Sequence, residues 1–150
     1  MKWSWTIGRV AGIELRIHAT FLLLLAWLAL VDYRATGTTA GAALGLLFTL
    51  ALFASVLLHE LGHASGHPSR LGRDLGGAFG SKKYAFEELV AEMNAAFCCA
   101  SLGIVPTVRH ADYIGSWLEV LRENNRAVVR AASLASRAAD WLLAFLPDHD

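Results

Sequence analysis

The chain has 150 residues, is 55% apolar and 17% charged, and carries 13 basic against 13 acidic side chains. That length limits it to one domain, or to a small domain plus an anchor, and the apolar excess is high for an ordinary soluble domain. A net charge of zero leaves no basic field and argues against nucleic acid as a partner.

The charge is unevenly placed. Residues 1–58 hold six charged side chains, Lys2, Arg9, Glu14, Arg16, Asp32 and Arg34, and all the others follow. The first part reads as a membrane anchor, 1–58, and the remainder as a globular domain, 59–150. The only cysteines are the adjacent Cys98 and Cys99. They imply no disulfide framework and a reducing compartment, and are read as small buried apolar residues. The tryptophans ahead of the first apolar run do not suit a cleavable signal peptide.

In chain order, "WSWTIGRVAGIELRIH" alternates on both sides of a glycine-punctuated centre. It predicts a short β-hairpin in which Trp3, Trp5 and Ile7 fall on one face, as do Ile13, Leu15 and Ile17. Residues 17–31 and 35–58 then carry no Asp, Glu, Lys or Arg. A crossing needs roughly 20 apolar residues, so these are expected to be two transmembrane helices, the first extended by Arg16 and Asp32. "DYRATGTT" between them is read as a turn. Two crossings place both termini on one side, and Lys2, Arg9 and Arg16 mark that side as cytoplasmic. A loop, "ASGHPSRLGRDLGGAFGSKK", follows. "YAFEELVAEMNAAFCCASLG" is expected to be a helix with Phe86, Leu89, Val90, Met93 and Phe97 inward and Gly103 past its end. "YIGSWLEVLRE" carries a stripe of Tyr113, Trp117, Leu118 and Leu121, interrupted at Asn124 and Asn125, before a last Ala-rich helix from Arg126.

The chemistry sits in "VLLHELGHASGHPSR". His59 and His63 are four apart on a predicted helix, so both imidazoles share a face and can bind one Zn²⁺. Glu60 beside them is placed as the general base toward a water that such a metal activates. A catalytic zinc usually has three protein ligands, and the acidic candidates for the third are Glu87, Glu88 and Glu92. Glu88 and Glu92 share a helix face, so one can bind metal while the other hydrogen-bonds a ligating histidine. His18 is read as an interfacial residue. His67 is set aside as a ligand because Pro68 disfavours helix at that position. Arg70 and Arg73 are read as loop residues in solvent, with pairing to carboxylates near the site as the alternative, and His110 and His149 as surface residues.

Two resemblances meet at this motif. "WSWTIGRVAGIELRIHATFLLLLAWL" and "FASVLLHELGHA" resemble the start of a bacterial site-2 protease, an intramembrane zinc metallopeptidase. That family takes its third ligand from an aspartate in a later crossing, which has no counterpart here. From His59 to about residue 146, "HELGHASGHPSRLGRDLGGAFGSKKYAFEELVAEMNAAFCCASLGI" and "YIGSWLEVLRENNRAVVRAASLASRAADWLL" resemble the zincin-like metallopeptidase domain of ArdC-type antirestriction proteins of mobile elements. This likeness implies a glutamate ligand on the "EELVAE" helix. The zincin pattern makes it Glu88, with Glu92 supporting a histidine. The ArdC family's amino-terminal part, associated with single-stranded DNA, has the membrane segment in its place.

The expectation is therefore a mainly α chain: a short N-terminal β-hairpin, two transmembrane helices and a small helical zincin-like domain. Its function is expected to be that of a membrane-anchored zinc metalloendopeptidase acting on a protein or peptide substrate. It would lie in the inner membrane, multi-pass, with the C-terminal domain in the cytoplasm. The alternatives are an antirestriction-type protein with a structural zinc site, or a nonfunctional fusion of two half-domains.

Overall fold

The structure, a computed structural model, describes residues 3–105, 114–115, 117–118, 121–122, 124 and 126–146. Its described elements are β1 (Ser4–Val10), β2 (Ile13–His18), α1 (Ala19–Thr36), α2 (Thr39–Ser65), α3 (Lys82–Ser101) and α4 (Ala127–Leu143). The chain is mainly helical with a short N-terminal two-stranded hairpin. It divides into two compact units, Met1–Ala51 and Leu52–Asp150. That division falls within α2, ahead of the 58/59 boundary suggested by the charge pattern.

In the first unit, β1 and β2 pair antiparallel, with Val10 opposite Ile13. The two loop residues, Ala11 and Gly12, both have positive φ, 51° and 77°, the backbone sense that matches strand twist in a two-residue hairpin. His18 then starts α1, its ring accepting from the Thr20 backbone N–H, so its local role is capping. The helix does not stop at Asp32, where a turn was expected. Nothing between Asp32 and Thr36 breaks helix, the Thr36 hydroxyl donates to the Asp32 carbonyl at 2.8 Å, and only Gly37, at φ 69°, ends it. Gly41 and Gly45 of α2 lie against the Thr36 and Asp32 side chains, so closely that a Cβ on either glycine would collide. Small residues at four-residue spacing are what let two apolar helices approach in this way. No residue of α1 is buried, and α1 and α2 are both long and apolar enough to cross a bilayer.

In the second unit, α3 packs on α4 through Ala85, Leu89, Val90 and Met93 against Ala127, Ala131 and Ala135, with Leu121 completing the cluster. The α4 alanines recur every three or four residues, so the helix presents one smooth face and α3 comes close. Leu89 and Val90 of the expected α3 stripe are fully buried, but Phe97 is 38% exposed and Cys98 fills the interior in its place. The last helix starts at Ala127, with Asn124 accepting from the Arg126 backbone N–H at 3.3 Å. Tyr113, His110, Asn125 and His149 lie outside the described residues.

Candidate metal centre

The site is built by the last two turns of α2 and the middle of α3. Their close approach depends on Gly62, whose missing side chain leaves room for Ala91 and Asn94. Asn94, fully buried, donates its amide to the Leu58 carbonyl at 2.8 Å, so the helices are joined by a directional bond one residue before His59.

Across this contact α3 presents three carboxylates to two imidazoles. Glu88 lies between the rings, its oxygens 3.5 Å from His59 Nε2 and 3.4 Å from His63 Nε2. The outer ring nitrogens face different acids: His59 Nδ1 lies 3.0 Å from Glu92, and His63 Nδ1 lies 3.4 Å from Glu87. With Nδ1–H turned to a carboxylate, each imidazole keeps its Nε2 lone pair for a metal. The set His59, His63 and Glu88 offers three ligand atoms within 4.8 Å of one another. Bonds of about 2.0–2.1 Å at tetrahedral angles set ligand atoms roughly 3.3 Å apart, close to the spacings seen. The residues fit a divalent ion of zinc type.

Glu60 is exposed and lines a cavity of about 510 Å³ together with His59, His63, Lys83, Tyr84, Glu87 and Glu88. A second cavity, about 320 Å³, opens on the other side of His59 and Glu88 and is lined by Leu52, Ser55, Val56, Ala95 and Trp117. Tyr84 hydrogen-bonds Glu88, and that carboxylate raises the phenol above its ordinary range. Burial alone would raise the Glu87 carboxyl, but hydrogen bonds from His63 and Arg73 outweigh it and hold the group below its ordinary value.

His59, Glu60, His63 and Glu88 converge, and Glu92 sits behind His59. Glu87, considered above as a third ligand, faces away from the ring edges that Glu88 meets and instead supports His63. His67 is exposed and bonds Ser69 at 2.7 Å, apart from the group. Arg73 is not in solvent: its side chain is 6% exposed and pairs with Glu87. Arg70 donates to the Ala64 carbonyl at 2.6 Å. Asn94 and Tyr84 carried no motif of their own; the only hint in the sequence was their spacing from Glu88 on one helix.

Comparison with known proteins agrees with this geometry. The model of the zincin-like metallopeptidase family MPTase-PolyVal matches residues 47–134. The uncharacterized protein y4eC of Sinorhizobium fredii is 53% identical over 90 residues, covering 59% of this chain and 29% of that protein. A DNA primase TraC of Escherichia coli is 49% identical over 89 residues, covering 59% of this chain and 8% of the primase. The chain thus spans under a third of these curated relatives. The crystal structure of Mn(II)-bound antirestriction protein ArdC from plasmid R388 is 39% identical, with a TM-score of 0.55 over 67% of this chain and 38% of that one. The family, the metal-bound neighbour and the His59–His63–Glu88 group together mark a divalent metal site. Matched over more than half its length, with those three residues inside the match, the chain belongs to the zincin-like metallopeptidase family.

Proposed function

We propose that the chain is an ArdC-type antirestriction protein of a mobile element, organised around one Zn²⁺ held by His59, His63 and Glu88. The observation that carries this reading is the likeness to plasmid-borne, Mn(II)-bound ArdC, 39% identical over two thirds of the chain. The third donor here is a glutamate on α3, not an aspartate of a later crossing, which favours this reading over an intramembrane protease. Cells expressing the chain should plate unmodified phage better on a restricting host, and His63→Ala should abolish that protection. No protection from a zinc-loaded chain would refute the proposal.

A second reading, peptide-bond hydrolysis at the same centre, is favoured by Glu60, which opens into the 510 Å³ cavity beside the metal group. A bound zinc would supply Lewis acidity and a water of lowered pKa. Glu60 would accept the proton, and Tyr84 and Lys83 would line the path of the substrate. Glu60→Gln separates the two readings. It should keep zinc in both, retain protection if the metal is structural, and lose peptide cleavage if the centre is hydrolytic.

The first unit is proposed to contact lipid. Leu22, Leu23 and Trp27 of α1 are 50%, 69% and 61% exposed, and Leu44, Leu47 and Phe48 of α2 are comparably bare, an apolar surface that water does not favour. With Lys2, Arg9 and Arg16 ahead of α1, both termini would lie in the cytoplasm at the inner membrane. Release of the chain from membranes by an alkaline wash would count against this.

A further inference from the structure

Arg73 belongs to the loop that follows α2, yet its guanidinium is withdrawn from solvent and fully engaged. Nε and one terminal nitrogen form a two-point pair with Glu87, at 3.0 and 2.6 Å. The other terminal nitrogen donates to Ser65 Oγ at 2.8 Å, and the terminal nitrogen that meets Glu87 also donates to the Gly62 carbonyl at 2.6 Å. Ser65, itself fully buried, donates to the same carbonyl. Gly66 makes room for this group, since a Cβ there would lie 2.9 Å from the Arg73 nitrogen. Arg73 therefore does two things at once. It places positive charge at the carbonyl end of α2, where the helix dipole favours it, and it fixes the plane of the Glu87 carboxylate. Glu87 in turn faces Nδ1 of His63.

We infer that Arg73 is a positioning residue for the metal centre: through Glu87 it sets the orientation of the His63 ring and so the affinity of the site. A planar two-point fork is what holds a carboxylate in one orientation, and lysine cannot reproduce it. Partners that orient ligating histidines typically change metal affinity about 10- to 100-fold when lost. Arg73 acts one step further out, on the histidine that Glu92 does not touch.

The test is Zn²⁺ affinity by chelator competition, and the visible spectrum of the Co²⁺-substituted full chain, for Glu87→Gln, Arg73→Lys, Arg73→Gln, Glu92→Gln and the pairwise doubles. Glu87→Gln and the Arg73 variants should each weaken zinc about 10- to 100-fold and shift the Co²⁺ bands alike. Arg73→Gln should add nothing to Glu87→Gln but should multiply with Glu92→Gln, because the latter acts on His59. If Arg73→Gln fails to fold, Arg73→Lys, which keeps the charge, and Glu87→Gln alone still decide. Wild-type affinity in Glu87→Gln would overturn the inference. So would losses from Arg73 and Glu87 that simply multiply, or an Arg73 variant of lowered thermal stability with an unchanged Co²⁺ spectrum, which would mark a helix cap and nothing more.

Discussion

Gly62→Ala tests whether the approach of α2 to α3 is what assembles the centre. An added Cβ would sit 3.0 Å from Asn94 Nδ2, 3.1 Å from the Ala91 Cα and 3.3 Å from Asn94 Cβ. Asn94 is fully buried and bound to Leu58, and Ala91 is met at its backbone, so α3 itself must shift. Overpacking of this kind costs about 1–3 kcal/mol, and loss of the Asn94–Leu58 bond leaves a buried amide worth about 1–3 kcal/mol more. Alanine returns about 1 kcal/mol of helix propensity. The expected net loss is about 1–5 kcal/mol, read by urea unfolding with the slope unchanged. Because α3 carries Glu87, Glu88 and Glu92, zinc affinity should fall with it. A Gly62→Ala chain as stable as wild type, with wild-type zinc affinity, would refute this account of the helix contact.

Further outcomes follow from individual side chains. Glu88→Ala should empty the metal site, whereas Glu92→Ala should weaken it about 10- to 100-fold; titration with zinc distinguishes them, and the reverse order would exchange their roles. Burial pushes the Cys98 thiol up to about 11, so its alkylation should be slow in the folded chain near neutral pH and fast on unfolding. The same shift makes a sign prediction: the raised value stabilises the fold below the ordinary thiol value, and that contribution is lost as pH climbs through about 11. Denaturation midpoints across alkaline pH check it.

What the sequence showed directly was local. The hairpin followed from alternation, and the paired histidines from i, i+4 spacing on one helix. The acids of α3 were visible as candidates, but their roles depend on how α3 lies against α2. Glu87 and Glu92 flank Glu88 on the helix surface and reach the outer nitrogens of different histidines, a division that no spacing rule within α3 contains. Arg73 read as a solvated loop residue because its partners come from Ser65, Gly62 and Glu87, which only the folded loop brings together. The end of α1 was misplaced because Asp32 and Arg34 are polar without being helix breakers; the breaker is Gly37. Phe97 was expected inside because it continues a regular stripe, but it is 38% exposed and the smaller Cys98 and Cys99 are the buried residues at that level of α3.

The boundary between the amino-terminal apolar segment and the metal domain gives the last test, because residues ahead of the motif take part in the metal site. Charge stops at Arg34 and resumes at Glu60, so the sequence draws the line at residue 58. Yet Leu52, Ser55 and Val56 form one wall of the cavity beside His59, Ser55 is 4% exposed and hydrogen-bonded with Cys99, and Leu58 supplies the carbonyl that Asn94 needs. The family match begins at residue 47. A chain starting at residue 47 should therefore fold and bind zinc with nearly the affinity of the whole. One starting at residue 59 would leave the Asn94 amide without its acceptor and remove the helical turn that fixes His59. Helices also lose cooperativity when their leading turns are deleted, so the shorter chain should bind zinc at least 100-fold more weakly, on the order expected for a misplaced ligand. Calorimetric titration of the two fragments decides. Equal zinc affinity in both would mean that the metal site is complete from His59 onward, and that the part of α2 before it contributes nothing to the site.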